Sequence, residues 1–129
     1  MAVTVTNTNI TDYDTEVTVV ANAATSSVIN ATEAFTITPT KAGNHVAITF
    51  TNAAAHGAYT WSLPVGALWA GDTLTALTGS IAAGATEVIQ LASGKHLSAA
   101  GTYVITLTPA SGKRLLTDHV AVVEVLETV

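Results

Sequence analysis

Apolar and polar residues alternate with a period of two along most of this chain, and this alternation restricts its fold more than any other feature. In the stretch 45–51 it places Val46, Ile48 and Phe50 on one side and histidine, alanine and threonine on the other. Glycine, proline or asparagine interrupts the alternation about every ten residues, as all-β domains require. No segment has the pattern of a long helix. The sequence therefore predicts an all-β protein.

Length and composition limit the class of protein further. The 129 residues fit one domain that can bury a core without disulfides or metals. Hydrophobic residues make up 49% of the chain and charged residues 10%, which excludes a disordered protein. No apolar run reaches the roughly 18 residues of a membrane-spanning helix. The net charge of -5 argues against nucleic acid and anionic membranes as partners, and the absence of cysteine excludes disulfides and thiolate chemistry.

Seven segments have strand patterns separated by turn residues. They are 33–38, 45–51, 59–63, 72–77, 86–91, 102–108 and 118–126. Trp61 is the large aromatic residue expected to fill the centre of a sandwich from the third strand. Seven strands within about a hundred residues are typical of a seven-stranded antiparallel β-sandwich.

One local motif suggests which kind of sandwich this is. In residues 97–108, Leu97 and a turn at Gly101 precede Tyr103, which opens an alternating strand. Together with the turn at 80–84, this motif resembles the second half of bacterial and phage immunoglobulin-like or fibronectin-III-like domains. The resemblance covers about residues 33–126 and implies an immunoglobulin-like Greek-key sandwich. It carries no binding or catalytic residue to this chain, and the cysteine pair of antibody domains is missing.

The first 32 residues precede this motif-bearing region, so we expect an N-terminal extension at 1–32 and the sandwich at 33–129. The extension either adds an edge strand to its own sandwich or reaches as an arm onto a neighbouring subunit. Four valines and a loop tryptophan are the candidate partner contacts. They are Val3, Val5, Val17, Val19 and Trp69.

Asp12, Asp14 and Glu16 form the strongest ligand hypothesis in the chain. Their alternation would direct three carboxylates to one face, where oxygen ligands suit Ca²⁺. The stretch lacks the glycine and the distal glutamate of an EF-hand, and three acids also fit a solvated surface. We therefore assign no metal and no cofactor.

No arrangement of residues predicts catalysis. The four histidines lack the spacing of a metal-binding pair. Asp118 and His119 are adjacent, but no nucleophile elbow accompanies them. The segment 93–96 resembles the end of a phosphate loop, yet Ile89 stands where that motif has glycine. We expect a protein that is not an enzyme.

Two features suggest a context for the chain. Its strands are rich in Thr, Val and Ala, as in extracellular or particle-surface proteins. Its first residues, however, lack the basic and apolar regions of a secretory signal. The chain resembles small tailed-phage structural proteins of the head decoration or cement type. That resemblance implies a non-enzymatic virion protein, assembled in the host cytoplasm, that docks on the major capsid protein or other virion subunits, with homo-oligomers as a further option. A tail-tube or fibre component and a cell-surface adhesion or carbohydrate-binding module are the alternatives.

Overall fold

The computed structural model describes residues 2–41, 45–67, 75–91 and 94–128. This part of the chain contains ten strands: β1 (Ala2–Thr4), β2 (Thr8–Asn9), β3 (Asn22–Ala23), β4 (Glu33–Ile37), β5 (Val46–Asn52), β6 (Tyr59–Leu63), β7 (Leu77–Ile81), β8 (Thr86–Gln90), β9 (Tyr103–Thr108) and β10 (Ala121–Glu127). A 3-10 turn spans Gly94–His96, and a π-helical turn spans Leu115–His119. None of the helical segments in these ranges has the length and apolar character needed to cross a bilayer.

The strands form two five-stranded sheets. One has the order β1-β4-β9-β6-β7, and the other has the order β2-β10-β5-β8, with β3 also paired to β10. The seven strands from β4 to β10 pair with one another only in antiparallel fashion. The pairs β1–β4 and β2–β10 are parallel, so both sheets are mixed. The all-β prediction is confirmed. The parallel pairs come from the N-terminal segment, which adds the edge strands β1 and β2 to the two sheets.

The two sheets share one hydrophobic core. Strands β4, β5, β6, β9 and β10 bury every second residue, which is the consequence of the period-two alternation. Trp61 of β6 stacks on Phe50 of β5 in the other sheet, with ring centroids 4.9 Å apart and planes inclined by 12°. This contact joins the inner faces of the two sheets at the centre of the sandwich.

Six of the seven predicted strands coincide with β4, β5, β6, β8, β9 and β10 to within three residues. The predicted strand at 72–77 is wrong at residues 75–76, which precede the strand Leu77–Ile81; residues 72–74 lie outside the described residues. Gly79 explains the error, since glycine next to serine is usually a turn signal. Here the Trp61 indole occupies the space of a side chain, and a Cβ on Gly79 would collide with its Nε1.

The described part of residues 1–32 pairs in cis with both sheets. Strand β1 lies beside β4, and β2 and β3 lie beside β10. Val5 is buried in the core, and its N–H donates to the carbonyl of Thr36 at 2.9 Å; Val3 packs against the same core. The Val5 side chain therefore contributes to this chain's own core, and Val3 is partly buried against it; a partner contact at Val3 stays a prediction.

The strand order differs from the constant-type immunoglobulin order. In that order the first strand pairs with the second and the last pairs with the sixth. In this chain the first of the seven antiparallel strands, β4, pairs with β9, while the last, β10, pairs with β5. The fourth strand, β7, pairs with the third, β6, and not with the fifth, β8. Relative to the constant-type order, the first, fourth and last strands therefore lie in the other sheet.

Candidate functional site

A buried glutamate at the start of β4 holds part of the N-terminal segment in place. Glu33 is completely buried, and its carboxylate accepts hydrogen bonds from the Thr25 N–H at 2.8 Å, the Thr25 hydroxyl and the Ser26 N–H. Hydrogen bonds to a charged acceptor are stronger than those between neutral groups. Glu33 therefore fastens residues 25–26 to the first sheet.

A second buried glutamate acts in the same way at the end of β10. The Glu127 carboxylate accepts hydrogen bonds from the Thr40 N–H at 2.6 Å, the Lys41 N–H at 3.0 Å, the Thr40 hydroxyl at 2.8 Å and the Asn7 amide at 3.3 Å. The Lys41 ammonium group donates elsewhere, to the carbonyls of Ile10 and Thr128. Glu127 thus joins the loop after β4 and the region of β2 to the second sheet.

Asn22 completes this set of buried polar contacts. Its amide nitrogen donates to the carbonyl of Val123 at 2.9 Å, and its amide oxygen accepts from the Thr6 N–H at 2.8 Å. Sequence reasoning did not identify the two glutamates or Asn22. The signal for the glutamates was the alternation itself, because Glu33 shares the inward phase of Phe35 and Glu127 that of Val125.

His119 is a buried imidazole without a catalytic partner arrangement. Its Nε2 accepts the Ala110 N–H at 3.1 Å, and its Nδ1 has no hydrogen-bond partner among the described residues. Burial lowers the pKa of His119; Asp118 and the Gly57 carbonyl oppose this change, and His56 and Lys113 add to it. The Asp118 carboxylate accepts the Arg114 N–H at 2.7 Å. The described residues around Asp118 and His119 show no nucleophile arranged with them.

Acidification is expected to destabilise the fold through His119. The pKa of His119 in the folded chain lies below the value of about 6.5 for the unfolded chain, so the folded state binds fewer protons in that window. The free energy of unfolding should fall as the pH drops from above 6.5 towards the folded pKa. Thermal unfolding between about pH 8 and pH 5 measures this. His119→Gln should remove that contribution and His96→Gln should keep it; an unchanged acid response in His119→Gln would contradict the assignment.

Asp12, Asp14 and Glu16 lie in an exposed loop at residues 11–16, which we call the acidic loop. A surface cavity of about 380 Å³ is lined by Ile10, Asp12, Tyr13, Asp14, Thr15 and Thr128. Tyr13 is 79% exposed. Within the described ranges no group of three or more Asp, Glu or His side chains could hold a metal ion. The Ca²⁺ hypothesis is therefore not supported by the placement of the three carboxylates.

A second exposed feature lies near the start of β10. Val28, Ile29 and Leu116 are 59%, 47% and 38% exposed, and we call these three residues the apolar pole. Two backbone hydrogen bonds join their segments: the Leu116 N–H to the Ser26 carbonyl at 3.1 Å, and the Asn30 N–H to the Lys113 carbonyl at 2.9 Å. Lys113 and Arg114 directly precede the π-helical turn. Sequence reasoning missed this surface, because its parts are more than 80 residues apart.

The remaining candidate residues have different environments. Val17 and Val19 are half-buried, and Trp69 lies outside the described residues. Trp61 is 7% exposed beneath Phe50 and Gly79, so its ring is not available for stacking on a sugar. Leu97 packs against the core, Gly101 has a φ of +77°, and Tyr103 is buried, which raises the pKa of its hydroxyl.

Comparison of the chain with protein-family models, curated proteins and solved structures gave no match. The function of this chain is therefore inferred from its residues and their geometry.

Proposed function

We propose that this protein is a non-enzymatic structural protein of a virion and that it decorates the phage head. The observation that carries the proposal is the use of the buried polar side chains: Glu33, Glu127 and Asn22 bind the chain's own backbone and fasten the N-terminal segment around the sandwich. This segment also covers the outer edges of β4 and β10, where unpaired strands would otherwise invite aggregation. Such a module is suited to passive docking.

The fold we assign is an immunoglobulin-related Greek-key sandwich in which the first, fourth and last strands lie in the other sheet compared with the constant-type order. The motif at Leu97, Gly101 and Tyr103 supports this relation, since Gly101 adopts a positive φ two residues before the buried tyrosine. The seven antiparallel strands from β4 to β10 are the counterpart of the seven strands of that family.

Docking would act by mass action. A protein that binds the assembled shell, and not its separated subunits, stabilises the shell by an amount that grows with its free concentration. A charged fraction of only 10% suits many copies held side by side, because their mutual repulsion is small. The surface we assign to the major capsid protein is the segment 17–20, where Val20 is 39% exposed and its N–H is held by the Thr8 hydroxyl at 2.9 Å.

The test is binding to empty heads that lack the protein, taken from the phage or prophage that encodes it. We expect bound copies per capsid subunit to saturate at a constant ratio. Val20→Asp should weaken binding by at least about tenfold, as for a central interface residue. Val65→Asp, at a residue of similar exposure (40%), is the matched control and should bind like the wild type. Absence of wild-type binding would refute the proposal.

A tail-tube or fibre component is the second candidate. The observation that favours it is the presence of the acidic loop and the apolar pole beside opposite ends of β10. A component of this kind should assemble with itself in the absence of heads.

A further inference from the structure

The acidic loop and the apolar pole lie at opposite ends of one strand. Thr128, which lines the cavity together with Tyr13, directly follows β10, while Lys113, Arg114 and Leu116 precede it. β10 has seven residues, which corresponds to about 23 Å at 3.3 Å per residue. The two surfaces therefore belong to the two ends of the sandwich and are separated by the length of a strand.

The two surfaces have complementary chemistry. Tyr13 is the most exposed large hydrophobic side chain among the described residues, and carboxylates lie on both sides of it. The apolar pole offers three aliphatic side chains next to Lys113 and Arg114, which are two of the four Lys and Arg residues in the chain. An aromatic anchor in an aliphatic surface with opposite charges around it is a typical arrangement for a binding hot spot.

Nearby charges of opposite sign reduce, but do not remove, the charge difference between the two surfaces. Arg114 lies 3.7 Å from Asp118 of the same turn, so Lys113 is the principal cation assigned to the contact. At the other end, Lys41 donates to the carbonyls of Ile10 and Thr128 and partly offsets the carboxylates. Asp12, Asp14 and Glu16 still outnumber it in that region.

We propose that copies of this chain associate head to tail, with Tyr13 and the acidic loop of one copy docked on the apolar pole of the next. The interface uses two different surfaces, so a bound pair still has one acidic loop and one apolar pole free for further copies. Repetition of such a contact produces a ring when the rotation closes and a filament when it does not. This proposal does not depend on a role in a virion.

The first test is sedimentation velocity of the full chain from micromolar to millimolar concentration. We expect the mean mass to rise beyond that of a dimer and the association to weaken at high salt, because exposed charges are screened. A monomer at every concentration, or a mass that saturates at a dimer, would overturn the proposal, since a two-fold dimer uses the same surface on both copies.

The second test uses variants that block one end each. Tyr13→Ser and Ile29→Asp should each lower the association constant by about 30-fold or more. An equimolar mixture of the two should form a heterodimer, because one variant keeps an intact apolar pole and the other an intact acidic loop. Failure of the mixture to form that heterodimer would refute the head-to-tail arrangement.

Val88→Asp is the matched control for the loss of an exposed aliphatic side chain. Val88 is 63% exposed on strand β8. This strand forms one edge of its sheet, and β2 lies at the opposite edge, beside β10. The control should associate like the wild type; a loss comparable to that of Ile29→Asp would assign the contact to β8 instead. Circular dichroism checks that each variant is folded. If Ile29→Asp is not folded, Lys113→Glu replaces it, and its defect should be reduced when Asp14→Lys is combined with it.

Discussion

Glu127→Ala is expected to lower the free energy of unfolding by about 3–4 kcal/mol. The carboxylate is completely buried and accepts hydrogen bonds from the backbone N–H groups of Thr40 and Lys41. Its removal leaves these two N–H groups without their acceptor and opens a cavity. The Thr40 hydroxyl and the Asn7 amide each lose one acceptor and keep another, the Asn9 amide oxygen and the Thr38 carbonyl respectively. The loop after β4 and the N-terminal segment should loosen together.

Urea denaturation followed by circular dichroism measures this change. Glu124→Ala is the control, because Glu124 lies on the same strand with its side chain on the other face; its effect should stay within about 0.5 kcal/mol. Glu127→Gln keeps the size of the side chain but offers one acceptor oxygen instead of two, so it should recover only part of the loss. Equal stabilities of Glu127→Ala and Glu124→Ala would show that the buried carboxylate contributes nothing to the fold.

Trp61→Ala is expected to lower the free energy of unfolding by about 3–5 kcal/mol. The indole is 7% exposed, stacks on Phe50 of the opposite sheet and covers Gly79 of the neighbouring strand. Truncation removes the stacking contact and leaves a cavity between the sheets. Thermal and urea unfolding followed by circular dichroism give the value, and Trp61→Phe should cost distinctly less because it keeps a ring against Phe50.

The contact between Trp61 and Gly79 predicts a strong coupling between the two positions. Gly79→Ala should cost about 1–3 kcal/mol in the wild-type background, because the new methyl group collides with the indole. Most of this cost should disappear in the Trp61→Ala background, where the space is empty. Gly94→Ala is the control, since a Cβ there meets no atom within 4 Å. Additive effects of the two substitutions would contradict the packing described for β6 and β7.

Local patterns in the sequence determined the strands and their inner faces. The alternation around Phe50 and Trp61 is a property of neighbouring residues, and a strand with one apolar face is stable only when that face is buried. For this reason most strand positions and much of the core could be predicted. The strand at Leu77–Ile81 could not, because the meaning of Gly79 depends on Trp61 in the adjacent strand.

Only the tertiary structure decided which strands pair and what the termini do. Any of several amphipathic strands could lie beside β4, and the pairing with β9 depends on the whole arrangement of the chain. The donors to Glu127 are 86 to 120 residues away in the sequence, so a local pattern marks its inward phase but not its partners. The surfaces at the two ends of the sandwich also depend on long-range contacts. Ile29 and Lys113 lie on one surface, and Val5 lies in the core. Both placements result from contacts between segments that are distant in the sequence, and no local pattern encodes such contacts.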